Sequence, residues 1–353
     1  MKSNNINKEV ELFNCTHIRT ILMVCVVLYH CLCFWKSGWF VITANDYSYV
    51  MNILLGWLNK FHIFGFVLVS GYVFGYIRYE TTKYNDIKLF IKNKFRRLFV
   101  PLCFVSIGWA MVFYKYYFKI GVVELIRKFI LMESPSQLWF IGMLFWCFIV
   151  YYIISNLFRG NQKYMTIICF IMYFCYFIIS KYVPNILCFI LLFKYIFFFH
   201  IGVLIRRNRN SLFIYSIPTS VYVIIHLLLY GVICVIKNIE SLKLVFYFLD
   251  LFVCAIGAVG SFVIIQRFIT SNCKLFRIID RVLCYLDEKT MYIYFFHQQF
   301  IYLFISLLYK HTNNFVILVI SFLFSIVLSI FIKEIISNIL KYGKYRIKSK
   351  SNQ

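Results

Sequence analysis

Charge is what this 353-residue chain has least of: Asp, Glu, Lys and Arg together make up 14% of it, and only 13 residues are acidic. With 62% hydrophobic residues and a mean hydropathy of +0.80, that scarcity excludes an ordinary soluble domain. Also absent are a polar stretch long enough for a separate soluble domain, a tandem repeat and a low-complexity linker. No CxxC and no Cys/His metal spacing occurs, so no metal is expected. A cleavable signal peptide is not expected either, because the N-terminus is polar and the first apolar run lacks a small-residue cleavage site.

What the chain has instead is apolar runs, each long enough to cross about 30 Å of hydrocarbon. They predict an all-α polytopic integral membrane protein with about ten transmembrane helices, near 18–36, 57–77, 98–118, 138–158, 164–181, 185–205, 212–236, 244–266, 290–309 and 314–336. The second has the least definite start, since Asn59, Lys60 and His62 dilute it and the apolar run from Met51 borders it. One membrane domain over 1–353 is expected, with a basic tail from about Lys341 suited to lipid headgroups.

The net charge of +24 invites a nucleic-acid reading, which the positions of the cations exclude. With the N-terminus inside, 26 of the 37 Lys and Arg residues fall on the inner side, so the positive-inside rule places both termini in the cytoplasm. Ten of the 13 cysteines lie within apolar runs and read as small hydrophobes.

The inner loop from Arg78 to Arg97 ends in Lys88, Lys92, Lys94, Arg96 and Arg97, followed by Pro101. Such a run is either a positive-inside anchor or a mouth that clasps an anionic cofactor. The outer segment 119–133 alternates Val122, Val123, Ile126, Phe129 and Ile130 with Glu124, Arg127 and Lys128, which suggests an interfacial helix with a structural role.

Ionisable groups inside a bilayer are costly and mark functional paths. Arg19 and His30 stand on one face of the first span, eleven residues or about 16 Å apart along an α-helix. His62 opens the second span's small-residue string, Gly65, Ser70, Gly71 and Gly75, whose bland reading is a packing groove. His297 lies deep in the ninth span. His17 and His311 fall at span ends, where solvated or interfacial roles are expected, while His226 and His200 read as core histidines. Asp250 is the one carboxylate well inside a span, and a buried pair with Lys194 at comparable depth is favoured over a role orienting a catalytic imidazole. Trp139 sits where a belt tryptophan belongs.

Five motifs occur in order along nearly the whole chain. They are Arg19 with ten residues before His30, His62 through Phe66 to Ser70-Gly71-Tyr72, Lys94-Phe95-Arg96-Arg97-Leu98-Phe99-Val100-Pro101, Leu138-Trp139-Phe140, and Ile293-Tyr294-Phe295-Phe296-His297. Together they resemble the membrane-bound acyltransferase 3 family, and most of all its fucose O-acetylase-like branch of polysaccharide O-acetyltransferases. The match departs at Phe64, where many relatives have Pro, at Lys94 in place of the first Arg of Arg-x-x-Arg, and in lacking an Asp after Arg19.

The resemblance implies transfer of an acyl group, usually acetyl from acetyl-CoA, to a hydroxyl of a glycan or lipid-linked precursor, at the bacterial cytoplasmic (inner) membrane. On that basis His30 is expected as general base, His62 as a helper at the acceptor, and Arg19 as a donor-phosphate or orienting group. Lys94, Arg96 and Arg97 are expected to bind the CoA nucleotide, with Ser70, Trp139, Asp250 and His297 as further candidates. An acyl-histidine mechanism remains open at this level. The competing functions are a glycan polymerase or ligase, disfavoured by short outer loops, and a transporter, disfavoured by the lack of an internal repeat.

Overall fold

A computed structural model describes all residues except 1, 47, 82, 210–212, 272–273 and 352–353, and the side chains from 11 to 339 apart from those positions. Cys273, Leu212 at the expected start of the seventh span, and the side chains of the basic tail beyond Lys341 lie outside the described residues. The described residues form helices joined by short loops, with no strand among them.

Among the described residues ten helical stretches are long and apolar enough to span a membrane: Glu11–Trp35, Tyr49–Glu80, Ile87–Phe118, Ser136–Leu157, Gln162–Tyr182, Ile186–Arg207, Thr219–Ile236, Glu240–Thr270, Thr290–Leu308 and Asn314–Ile339. An even number of crossings puts both termini at one end of the bundle. The first, second, fourth, sixth and ninth spans are mostly buried against one another, whereas the third, fifth, seventh and tenth form the rim. Exposed Phe104, Val112, Ile167, Leu228 and Phe331 on that rim are what a lipid-facing surface requires, since hydrocarbon accepts them without cost.

The second span is a broken helix and starts earlier than the expected 57–77. Tyr49–Leu58 ends in a turn over 59–61 and His62–Glu80 begins anew. Non-helical backbone at membrane depth needs protein around it, and here Phe61, Lys60 and His62 are enclosed by Asp250, Gly257 and Tyr29. The third span starts at Ile87, not 98, because Asp86 caps it by accepting from the Lys88 and Leu89 amides. Within it the helix widens into π-turns at Phe95–Phe99 and Ser106–Ala110. Such bulges frequently occur at functional positions.

Between the eighth and ninth spans the basic loop folds into a helix, Lys274–Asp287, with Leu275, Ile278 and Val282 exposed along it and Leu283 buried. The interfacial helix expected over 119–133 is present as Val122–Leu125 continued by Ile126–Ile130, anchored by buried Leu125 and Phe129. With little hydrophobic drive between helices in lipid, close backbone approach does the joining. Gly71 faces the Phe199 carbonyl and Gly202 faces the Leu68 carbonyl, so closely that neither position has room for a Cβ.

Candidate functional site

The broken second span and the first and ninth spans bring three histidines to one place. His297 is fully buried, and its Nδ1 lies 2.8 Å from the Ile293 carbonyl one turn back. A carbonyl only accepts, so Nδ1 carries the proton and Nε2 offers a lone pair. His30 Nδ1 lies 2.9 Å from that Nε2 and therefore donates to it. The neutral His30 ring is left with its own lone pair on Nε2. His62 repeats the pattern: its Nδ1 donates to the Leu58 carbonyl, which stands at the helix break and also accepts from the Phe61 amide at 3.2 Å. Tyr29 lies between the two rings, with centroids 4.9 Å from His62 and 5.3 Å from His30. Trp39 lies nearly parallel to His30 at 6.1 Å.

His30 and His62 line a cavity of about 540 Å³ at the end of the bundle opposite the termini. Its wall is aromatic and amide-rich, with Trp39, Trp139, Tyr195, Tyr302, Gln137 and Gln298 among its residues. Gln137 donates to Gln299 Oε1 at 2.8 Å and to the Phe295 carbonyl at 2.9 Å, which ties the fourth span to the ninth. Gln298 donates to the Tyr302 hydroxyl, yet its Oε1 is buried without a partner among the described residues. Buried polar atoms are nearly always satisfied, so an orphan acceptor in the cavity wall is a place for a ligand hydroxyl or a water. The rim is held by Asn185, which donates to the Glu133 carbonyl at 2.9 Å. Lys128 and Glu133 also line the cavity, so segment 119–133 is wall as well as anchor.

Near the terminal end, the first span's Arg19 meets the third span. The charges of Arg19, Lys94 and Arg97 act on one another, and Arg19 Nε is buried without a partner among the described residues. Lys94 Nζ sits 3.4 Å from the centre of the Phe148 ring, a cation–π contact. Burial raises the Tyr84 phenol above its ordinary range, and neighbouring Arg97 and Arg19 oppose the rise. Three mutually repelling cations with an unsatisfied guanidinium nitrogen fit an anionic group. Arg96, in the same π-turn, is exposed and takes no part in this set.

Other candidates fall elsewhere. Asp250 pairs with Lys60 at the helix break, not with Lys194 as expected. The break places the lysine directly opposite the carboxylate, whereas Lys194 lines the cavity among the Phe64, Tyr176 and Tyr195 rings. No contact joins Asp250 to His30, His62 or His297 among the described residues, so it holds none of these rings directly. Ser70 donates to the Phe66 carbonyl at 3.0 Å within its own helix, beside the tight Gly71 contact, and belongs to the packing groove. Trp139 faces the cavity against Tyr195 as more than a belt residue. His200 bridges Tyr151 and Thr166, both at 2.8 Å. His226 accepts from Trp57 Nε1 at 3.2 Å, but its Nε2 has no partner among the described residues. His17, expected to be solvated or interfacial, is fully buried between two aspartates, because the unanticipated helix Lys274–Asp287 covers it.

The model of a family of acyltransferase domains, acyltransferase 3, matches residues 15–334. The chain belongs to the acyltransferase 3 family. No curated protein and no solved structure matches it. This acyltransferase is a multi-pass membrane protein by its ten apolar helices. Sequence reasoning missed Gln137, Gln298 and Lys194 in the cavity wall. The first two had a signal, since His297-Gln298-Gln299 is a polar triplet inside an apolar span.

Proposed function

We propose that this acyltransferase moves an acetyl group from acetyl-CoA to a hydroxyl of a cell-envelope glycan or its lipid-linked precursor, in a bacterial cytoplasmic membrane, with both termini in the cytoplasm. The observation that carries the reading is the chain from the Ile293 carbonyl through His297 to His30, which leaves His30 Nε2 unprotonated in a wall of aromatic and amide side chains.

A sugar hydroxyl is a weak nucleophile at neutral pH, and a positioned imidazole that takes its proton as attack begins accelerates transfer roughly 10²–10⁴-fold. His30 Nε2 takes that proton. The imidazolium it becomes still donates from Nδ1 to His297, a hydrogen bond strengthened by the new charge. The ester C–O bond forms as the thioester C–S bond breaks, and His30 returns its proton to the departing thiolate. Gln298 Oε1 is placed to accept from an acceptor hydroxyl, and the aromatic wall suits the apolar faces of sugar rings. His62 supplies a second lone-pair nitrogen at the acceptor side.

The donor is assigned to the other end of the first span. Arg19, Lys94 and Arg97 hold its phosphates, and the roughly 16 Å between Arg19 and His30 gives the pantetheine arm a length to cover. The positive-inside count of 26 against 11 cations supports the cytoplasmic position of that mouth.

Deleting the gene and comparing envelope polysaccharide by NMR tests the reading. Loss of O-acetyl signals, restored by the wild-type gene and not by an inserted, abundant His30→Ala variant, is expected. An unchanged acetyl pattern with altered chain length would identify a polymerase instead.

A further inference from the structure

A second cluster of chemistry-bearing groups lies at the terminal end of the bundle, away from the cavity. His17 Nδ1 sits 2.6 Å from Asp287 Oδ2, and Thr20, itself 3.0 Å from Thr290, donates to Asp287 Oδ1. Asp287 therefore accepts from the ring and is braced from behind. A carboxylate on one imidazole nitrogen is the arrangement that fixes a metal-binding histidine's tautomer and aims its other nitrogen outward. That other nitrogen, Nε2, faces Asp280 Oδ1 at 3.2 Å. One turn along the same helix, Cys284 Sγ lies 4.0 Å from Asp280 Oδ1. His17 Nε2, an Asp280 oxygen and Cys284 Sγ all fall within 4.8 Å of one another.

We propose that His17, Asp280 and Cys284 form a binding site for a divalent transition-metal cation of the zinc type, with Asp287 holding the His17 ring through Nδ1. The two sides of the histidine differ in a way that supports this. The contact to Asp287 is as short as a charge-assisted hydrogen bond, whereas the 3.2 Å separation to Asp280 is longer than such bonds usually are. It is close to the N···O edge of about 3.3 Å that tetrahedral zinc gives with its usual bond lengths.

The donor set of one imidazole, one carboxylate and one thiolate is borderline in softness, which suits zinc and excludes magnesium or calcium, whose ligands are oxygens. Three protein ligands leave a fourth position for water, on the side where Cys284 is exposed and Asp280 half-buried. His17 lies 263 positions before Asp280 in the chain, so no linear spacing announces the three together. A bound cation clasps helix Lys274–Asp287 to the first span two residues before Arg19.

The test uses the full-length protein purified in detergent, equilibrated with buffered zinc and desalted, with metal counted by mass spectrometry. About one zinc per chain is expected for the wild type. Cobalt(II) substitution should produce the near-ultraviolet absorption of a thiolate–cobalt bond. Cys284→Ser, at an exposed position, and Asp280→Asn, at a half-buried one, should remove that band or the bound zinc. Asp287→Asn should weaken zinc binding roughly 10- to 100-fold. Two results would overturn the site: no retained zinc and no thiolate–cobalt band in folded wild-type protein, leaving a His17 ion pair only, or zinc and cobalt signals equal in the wild type and in both the Cys284→Ser and Asp280→Asn variants.

Discussion

Replacing His297 separates a positioned base from a histidine that merely fills space. In His297→Leu the Ile293 carbonyl loses its ring donor and, more consequentially, His30 Nδ1–H loses its acceptor at 2.9 Å. In the transition state that hydrogen bond is made by an imidazolium. A bond to a charged group is worth about 1.5–3 kcal/mol, and each 1.36 kcal/mol is tenfold in rate, so kcat should fall about 10- to 150-fold. The donor mouth is about three helical turns away, so KM for acetyl-CoA should stay within about twofold. His297→Gln offers a side-chain carbonyl to the same proton and should recover part of the loss. The assay is thiol release from acetyl-CoA in nanodiscs supplied with the deletion strain's unacetylated glycan, at matched amounts of folded protein. Wild-type kcat in His297→Leu would refute the proton-holding chain. So would equal loss in Leu and Gln variants, which would mean that packing alone is at stake.

Three further outcomes follow from the same geometry. Asp250→Ala strands Lys60 at the helix break, and breaking a buried pair costs about 3–5 kcal/mol. A lower melting temperature and lower abundance are expected, both recovered in the Lys60→Met/Asp250→Leu double variant, and an unchanged melting temperature in the single variant would count against the pairing. Lys94→Met removes one of the three cations grouped at Arg19. KM for acetyl-CoA should rise about tenfold with kcat little changed, corresponding to one charge-assisted contact. The gap should narrow between 0.1 and 1 M salt as the screening length falls from about 10 to 3 Å, and a kcat defect at unchanged KM would contradict the assignment. Gly202→Ala drives a methyl into the Leu68 carbonyl and should cost about 1–3 kcal/mol of stability, read as a drop in melting temperature that Gly108→Ala, in open space, does not share.

Legibility in the sequence divides along physical lines. Spans were readable because burial in lipid demands about twenty apolar residues at a stretch, and ten such stretches emerged close to where hydropathy put them. Arg19 and His30 were readable because two ionisable groups one helix face apart stand out against apolar neighbours. Pairings across the bundle were not, since a single chain carries no record of which faces meet. Asp250 had two lysines at plausible depth, Lys60 and Lys194, and only the turn over 59–61 decides between them. Helix Lys274–Asp287 was hidden for a related reason. Its apolar residues are spaced for one face of a short interfacial helix, too sparse for a hydropathy window and too basic to read as anything but a positive-inside loop.

The broken second span joins these points into one argument about the site. An unbroken helix from Tyr49 to Glu80 would engage the Leu58 carbonyl in its own ladder and carry His62 around with it. By stopping at Leu58 and restarting at His62, the chain turns that carbonyl toward the Phe61 amide and His62 Nδ1 together. The turn costs backbone hydrogen bonds in a medium that does not replace them. The Lys60–Asp250 pair anchors that turn, and Gly257, with no side chain, lets the Lys60 carbonyl approach the eighth span. Asp250 therefore bears on the candidate chemistry without touching it, by fixing the break on which the orientation of His62 depends. If that is its role, Asp250→Asn should retain much of the fold, its side-chain oxygen still accepting from the Lys60 ammonium, yet lower kcat more than it lowers melting temperature. A parallel decline of both would reduce Asp250 to a stability element.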